Sequence, residues 1–294
     1  MVEIKHEDLA GATPDAETEG SAADRNARRR PSDQLPSYPV RPDPLLTVDP
    51  GSYEDPAKRA WAEKRLRRIN RWRRPLTRKR DRLRAWANML IVDHGFIRAI
   101  YPNRWQVTPR MWRSAQPLPH HIHQFAEAGG RTVVTLRGGQ MFGSLPLEAE
   151  ACAEAGLEFN TIVLRSRDVP AREELLGIVD ALEGIETPVL FHCKSGADRA
   201  GFMAALWLMM REGRPVEEAQ AQLALRYGHI RASKTGVLDY FFEVFATETA
   251  PGGPADGLSL RDWIATRFDR EALREAHRAS GVATVFTDVL LRRE

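Results

Sequence analysis

The spacing of apolar residues divides the chain into a polar N-terminal stretch and a longer part built from regular elements. Residues 1–55 are rich in Ala, Asp, Glu, Pro and Arg and lack apolar periodicity, which is typical of a disordered tail. Between residues 101 and 250, short apolar runs alternate with stretches in which apolar residues recur at helical spacing. This alternation predicts an α/β fold with a mainly parallel central sheet flanked by helices.

The predicted strands and helices follow one another regularly through this part, which we expect to be the catalytic domain. The pattern indicates strands at 105–107, 111–114, 131–137, 157–164 and 188–192, and helices at 118–129, 145–156, 171–184, 202–210, 215–227 and 234–247. Ligands of such sheets bind beyond the C-terminal ends of the strands. We therefore expect the functional site where the last strand ends.

Helical segments extend this domain on both sides. Residues 56–100 predict a basic amphipathic arm, and residues 255–294 predict a helical extension that covers the core. One face of the first arm helix carries Trp61, Leu66, Ile69 and Trp72. Two interpretations of the arm stay open: residues 56–92 lie on an anionic membrane surface, or the arm packs its tryptophans on the catalytic domain and leaves its arginines in water.

Charge is concentrated in this arm. The chain has 294 residues, 43% of them hydrophobic, and a formal net charge of +3. From Lys58 to Arg84 there are fourteen Lys and Arg residues against two acidic ones. A solvated basic face accounts for such a run, and we expect no nucleic-acid partner.

The cysteine count and the N-terminus favour the cytoplasm. Cys152 and Cys193 are too few for a disulfide framework, which fits a reducing compartment. The N-terminus is acidic and lacks the apolar core of a signal peptide, and no run reaches the roughly 18 apolar residues of a membrane span. The sequence therefore predicts a cytoplasmic protein, with peripheral membrane binding as the alternative that accompanies the arm.

The stretch 188–201 places a cysteine at the tip of the last predicted strand, before a turn through Ser195 and Gly196 and a helix. The N–H groups of such a loop and the helix dipole converge to form an anion site. The same field favours the thiolate form of Cys193. Arg199 carries a planar guanidinium group that can donate hydrogen bonds to two oxygens of a phosphate.

The pattern His192-Cys193-x5-Arg199 resembles the signature of the cysteine-dependent protein tyrosine and dual-specificity phosphatases. Residues 112–117 also resemble the entry segment of bacterial and fungal dual-specificity-like members. The resemblance covers about residues 101–247 and is sharp only at the signature.

This resemblance implies a phosphomonoester hydrolase with a phosphocysteine intermediate. Cys193 would attack phosphorus, and Arg199 would bind the phosphate. An aspartate on the loop before the helix 171–184 would protonate the leaving oxygen, which makes Asp168 the candidate general acid. Glu173 or Glu174 could be the general acid instead. Asp168 would then have a purely structural role, in a turn or as the cap of the helix that follows.

The remaining residues of the signature are expected to bind substrate. They are His192, Lys194, Ser195, Gly196, Ala197 and Asp198. His192 is also expected to orient the loop, and Asp198 to brace a neighbouring amide or arginine. We expect no cofactor and no metal, because the histidines at 120, 121 and 123 have no cysteine or acidic partner at ligand spacing.

Three functions remain open. The default is a phosphatase acting on phosphotyrosine or phosphoserine/threonine in proteins. A deep pocket with aromatic walls would favour phosphotyrosine. A polar, shallow pocket would instead favour a lipid or sugar phosphate as the small phosphoester substrate. A phosphate-binding scaffold with weak turnover is the third, and its one supporting feature is Ala200, where relatives often carry Ser or Thr. For an enzyme, Ala200 predicts slow breakdown of the phosphoenzyme.

Overall fold

The computed structural model describes residues 49–72, 76–137 and 142–279. The predicted tail therefore lies outside the described residues up to position 48, as does the predicted helix after position 279. The last residues of the predicted tail include a 3-10 turn, Pro50–Ser52, where the Gly51 amide donates to Asp49 Oδ1 over 2.8 Å.

Eleven helices and five strands make up the described residues. The helices are Pro56–Trp72 (α1), Lys79–Ala87 (α2, continued by a π-helical turn Asn88–Val92), Gly95–Ile100 (α3), Pro119–Glu127 (α4), Ser144–Glu154 (α5), Arg172–Glu183 (α6), Asp198–Glu212 (α7), Val216–Gln220 (α8), Val237–Thr249 (α9), Leu260–Thr266 (α10) and Arg270–Ala279 (α11). The strands are Trp105–Thr108 (β1), Met111–Ser114 (β2), Thr132–Arg137 (β3), Glu158–Leu164 (β4) and Val189–His192 (β5).

The strands form one sheet in the order β1-β2-β5-β3-β4. Only β1 and β2 pair antiparallel, and the other pairs are parallel. The predicted α/β fold with a mainly parallel sheet is therefore confirmed. In the central strand, His192 pairs with Ser114 on one side and Thr135 on the other. Cys193 thus leaves the sheet between two neighbouring strand ends.

Helices cover both faces of this sheet. On one face α6, α7 and α9 enclose the main core, and on the other Ile122, Phe125 and Cys152 pack against Val133 and Leu190. The C-terminal helices extend the main core with an aromatic cluster: Phe202, Phe241, Phe242, Trp263 and Phe268. The part of the predicted C-terminal extension that the structure describes does cover the core.

The arm packs on the catalytic domain through some of its predicted apolar face. Trp72 is buried together with Ala85 and Met89 against Leu118 and Leu147. Trp61, by contrast, is 54% exposed. The prediction that the arm buries its tryptophans on the domain is thus correct for Trp72 and wrong for Trp61. In the ranges that the structure describes, no helix has the length and hydrophobicity needed to cross a bilayer.

The helix predicted over 215–227 is wrong in its second half. It ends as α8 at Gln220, and a separate 3-10 turn, Leu225–Tyr227, follows. The carbonyl oxygen of Gln222 accepts a hydrogen bond from Arg113 Nη1 at 2.6 Å instead of continuing a helix. A buried side chain from a distant strand therefore competes with the local helical pattern.

Candidate active site

The loop after β5 forms a cup because its carbonyl oxygens are held from outside. Arg113 Nη2 donates to the carbonyl oxygens of Gly196 and Ala197 at 2.8 and 2.9 Å. Asn103 Nδ2 donates to Ser195 O at 2.9 Å, and the Gln116 amide donates to Lys194 O at 3.3 Å. Four carbonyl oxygens of the loop thus accept hydrogen bonds from outside it, and the Gly196 amide points inward at Cys193 Sγ, an arrangement typical of anion-binding nests.

Arg113 is the strongest of these clamps. It is fully buried on β2, and its guanidinium stacks 3.9 Å from the ring centroid of Tyr227. Burial lowers the pKa of Arg113 to about 10, although the charges of Tyr227, Cys193 and Asp198 oppose the shift. The side chain therefore stays protonated at neutral pH and keeps its hydrogen bonds to the loop.

Cys193 lies at the base of the cup. Its amide donates to Ser114 O at 3.4 Å, which continues the sheet into the loop. Its Sγ accepts a hydrogen bond from the Gly196 amide at 3.3 Å. Gly196 has φ +75°, and a Cβ there would lie 2.5 Å from the Ala115 amide nitrogen, so only glycine fits. Only 1% of the cysteine is exposed.

Arg199 lies in the first turn of α7 and lines the pocket above the loop. Its Nε is buried and has no hydrogen-bond partner among the described residues. An unsatisfied buried guanidinium nitrogen costs free energy unless a ligand satisfies it. The position of Arg199 in the pocket lining and the Gly196 amide at the base of the cup suit a tetrahedral anion.

His192 precedes the cysteine and is completely buried. Its Nε2 lies 2.5 Å from Glu148 Oε1, although the geometry is not that of a hydrogen bond. Glu148 also accepts from Gln116 Nε2 at 2.7 Å, and Gln116 Oε1 accepts from Arg137 Nη1 at 2.8 Å. His192 therefore contacts a buried polar chain rather than the pocket.

The series of buried polar side chains that begins at His192 ends in the arm, at Asp93. Arg137 donates to both carboxylate oxygens of Asp93 at 2.8 Å, and Arg98 Nη2 donates to Oδ2 at 2.9 Å. Burial by itself would raise the pKa of Asp93. The hydrogen bond from Arg137 and the positive charges of Arg137, Arg98 and Lys194 outweigh burial and lower it. The arm is thereby joined through four side chains to the residue before Cys193.

A second buried cluster holds the opposite side of the loop. His229 Nδ1 lies 2.8 Å from Asp198 Oδ1, and its Nε2 lies 2.6 Å from Asp239 Oδ2. Burial by itself would lower the pKa of His229, but the hydrogen bonds to both carboxylates raise it to about 9. Asp198 therefore braces a histidine and not the neighbouring amide or arginine that the sequence predicted.

The pocket above the loop has a volume of about 900 Å³. Its cationic lining residues are Arg98, Arg167, Lys194, Arg199 and Lys234. The arm contributes His94 and Ile97 to one wall, next to Tyr101 just after the arm, and the turns after α8 contribute Tyr227 and Ile230 to another. The pocket is thus wide, and its charged lining residues are mainly cationic.

The structure does not bring Asp168 to this pocket. Arg270 binds both of its carboxylate oxygens, and Arg274 Nε lies 3.7 Å from Oδ1. Ser166 and Arg167 of the same loop line the pocket instead. Glu174, the alternative acid, accepts from the Ala171 amide at 2.9 Å and caps α6. None of the three predicted carboxylates, Asp168, Glu173 and Glu174, lines the pocket.

Two residues named in the sequence analysis lie outside the site. Cys152 is fully buried and unpaired, and burial raises its pKa well above the ordinary value, as is typical of a structural thiol. His121 is buried, and its Nδ1 accepts from the Leu118 amide at 3.3 Å, so it caps α4. The sequence interpretation missed Asn103, Asp93 and His229. Only Asp93 had a local signal, since it directly follows the apolar run 89–92.

A family model described as "DSP-PTPase phosphatase fused to NAD+ Kinase" matches residues 100–237. That range contains the whole cup and most of its supporting residues. The chain carries a phosphatase domain of the cysteine-dependent dual-specificity superfamily. It is a cysteine-dependent phosphatase, and the predicted resemblance is confirmed.

Several solved phosphatases share part of this domain's structure. A cysteine-to-serine variant of P. aeruginosa TpbA, in complex with pTyr, is 20% identical, covers 56% of this chain and 91% of its own, and has a TM-score of 0.41. Tk-PTP in its active form is 23% identical over 49% of this chain and 98% of its own, with a TM-score of 0.38. The core catalytic domain of the PP-IP phosphatase SIW14 from S. cerevisiae, in complex with citrate, is 13% identical over 60% and 93%, with a TM-score of 0.36. No curated protein matches the chain in sequence.

Proposed function

We propose that this phosphatase hydrolyses phosphomonoesters through a phosphocysteine on Cys193, with Arg199 binding the phosphoryl oxygens. The loop amides of residues 194–198 bind the same oxygens. Lys194 adds positive charge at the pocket wall. His192 acts indirectly, because it positions the loop from beneath.

The observation that carries this proposal is the outward clamping of the loop carbonyls around a sulfur that itself accepts an amide hydrogen bond. A preformed set of N–H donors stabilises negative charge on the equatorial oxygens in the transition state without reorganising. The unpartnered Nε of Arg199 supports the same site for the dianion.

Hydrolysis of p-nitrophenyl phosphate by the full chain tests this proposal. We expect vanadate-sensitive activity that falls by at least about 10³-fold in Cys193→Ser, because the alcohol is a far weaker nucleophile at neutral pH. Cys152→Ser is the matched control and should retain activity. Tight phosphate binding without turnover in the wild type would instead support the scaffold alternative.

A phosphoprotein is the default substrate, but the width and charge of the pocket favour a second candidate, a lipid or sugar phosphate. Arg98 is paired with Asp93, and the other four cationic lining residues, Arg167, Lys194, Arg199 and Lys234, still exceed what one phosphoryl group needs. Exposed apolar residues also lie on the arm near the residue Ile97, which lines the pocket. Ile91 and Val92 of the π-helical turn and Phe96, Ile97 and Ile100 of α3 are 53–85% exposed. Exposed apolar side chains beside a basic segment suit the surface of an anionic bilayer.

A substrate panel and a vesicle assay separate these candidates. Phosphotyrosine peptides, phosphoinositides and sugar phosphates should be compared at equal concentration by phosphate release. If the chain acts at a bilayer, it should co-sediment with vesicles containing phosphatidylserine and lose binding in Ile97→Ser/Ile100→Ser. Preference for soluble peptides without co-sedimentation would favour the phosphoprotein candidate.

A further inference from the structure

Expulsion of an alkoxide from a phosphomonoester needs a proton donor in the pocket. The predicted donor, Asp168, forms ion pairs with Arg270 and Arg274 on α11. Among the described residues that line the pocket, Asp198 is the one carboxylate, and its Oδ1 is bound to His229. The proton for the leaving oxygen must therefore come from another side chain in the pocket wall.

His94 lies in that wall, together with Arg199 and Lys194. Its backbone is left-handed, with φ 56° and ψ 36°, a conformation that is uncommon for residues other than glycine. Such strain persists only where the surroundings hold it, and it is concentrated at functional sites. The strained residue here carries an imidazole, the side chain whose charge most readily changes between about pH 5 and 8.

The residues on both sides of His94 account for its conformation. Asp93 is fixed by Arg137 through its carboxylate and by Arg98 through both carboxylate and carbonyl oxygen. Gly95 lies so close to the preceding turn that a Cβ would be 2.6 Å from Met89 O. The backbone around His94 is thus anchored by the buried chain that ends beneath Cys193.

We propose that His94 is the general acid and base of this phosphatase. The inference rests on the proposed function, since it assigns a role at the same pocket. It concerns a residue that lies outside the signature and outside the range that the family model matches.

The step balances with groups that the pocket holds. As the Cys193 Sγ–P bond forms, the bond between phosphorus and the leaving oxygen breaks and its electron pair stays on that oxygen. The imidazolium of His94 gives its proton to the oxygen, and an alcohol leaves. The neutral imidazole then takes a proton from the water that attacks the phosphocysteine, and the thiolate is released with inorganic phosphate.

A leaving-group series tests this role. The full chain, His94→Gln and Asp168→Asn should be compared on 2,4-dinitrophenyl, p-nitrophenyl, phenyl and alkyl phosphates by kcat/KM. We expect His94→Gln to be nearly normal on the dinitrophenyl ester and to lose about 10²–10⁴-fold on the phenyl and alkyl esters. Asp168→Asn should lose the same small factor on every ester.

Controls separate this inference from the proposed function. His120→Gln, at an exposed histidine of α4, should match the wild type on all esters. A wild type without Cys193-dependent hydrolysis would refute the proposed function itself. If that hydrolysis is present, three results would overturn the role of His94: no loss in His94→Gln, an equal loss on all esters, or the leaving-group-dependent loss in Asp168→Asn. His94→Ala, checked for folding by its melting temperature, should reproduce His94→Gln.

Discussion

Two walls of the same pocket are built in different ways. The cup at residues 193–199 is one continuous stretch, and each of its residues has its place set by neighbours in sequence and by Arg113 and Asn103 beneath it. The wall at residues 93–101 comes from the arm and is held by Asp93 through contacts with residues far along the chain. In our proposals the cup supplies phosphate binding and the nucleophile, whereas the wall supplies the pocket's shape and its proton.

The largest expected effect comes from removing the anchor of the arm wall. Asp93→Asn leaves two buried guanidinium groups without their carboxylate, so the free energy of unfolding should fall by roughly 3–5 kcal/mol. Because the pKa of Asp93 is lowered in the folded protein, the advantage of the wild type should be complete above about pH 4 and shrink as the pH falls further. Urea unfolding of both proteins across this pH range measures it.

An unfolding free energy for Asp93→Asn within 1 kcal/mol of the wild type would show that the arm wall is not held by this residue. Arg80→Gln, on the exposed face of α2, is the control and should leave stability unchanged within about 0.5 kcal/mol.

Removing the clamp of the cup should act on catalysis as well as on stability. Arg113→Met leaves the carbonyl oxygens of Gly196, Ala197 and Gln222 without their donor, so stability should fall by about 3 kcal/mol. The loop amides would no longer be fixed, and kcat should fall more than the stability loss accounts for at a temperature where the variant is folded. Steady-state kinetics beside a denaturation curve test this. An unstable variant with normal kcat would contradict the clamp.

The His229 cluster gives the site a dependence on alkaline pH. Below about pH 6.5 the imidazole is protonated in both the folded and the unfolded chain. Its pairing with Asp198 and Asp239 then contributes in full to the free energy of unfolding. Above that, the unfolded chain loses the proton while the folded chain keeps it, because the pKa is raised to about 9. The contribution, about 3 kcal/mol, should therefore decline with rising pH and be lost as the pH rises through 9. Chemical denaturation of wild type and His229→Gln between pH 6 and 10 checks it. The prediction would be contradicted if the difference in unfolding free energy between wild type and His229→Gln stayed constant across this pH range.

The smallest expected effect concerns Ala200, which is fully buried beside Arg199. Ala200→Ser restores the hydroxyl that relatives often carry at this position, and it should speed breakdown of the phosphoenzyme a few-fold. Rapid-quench measurements on p-nitrophenyl phosphate should then show a smaller burst than in the wild type. An unchanged burst would mean that breakdown does not limit turnover.

The strands and helices, their order along the chain and the loop that forms the cup were predictable because their signals lie in short stretches of sequence. Apolar runs mark the strands, and the spacing of Cys193 and Arg199 marks the loop between β5 and α7. The supports of the cup were not predictable, since Asn103 and His229 act across about 92 and 31 positions of sequence on Ser195 and Asp198. The interpretation of Asp168 shows the same limit, because the pattern gives its loop but not the arginines of α11 that bind it.

The central claim is that the sulfur of Cys193, at the base of the cup, takes the phosphoryl group from substrate. Acid-quenched wild-type chain, sampled during turnover of p-nitrophenyl phosphate and digested, should carry one phosphoryl group on the peptide that contains Cys193. Cys193→Ser should carry none under the same conditions. Unmodified Cys193 in wild type that is turning over, with the label absent or on another residue, would contradict the account.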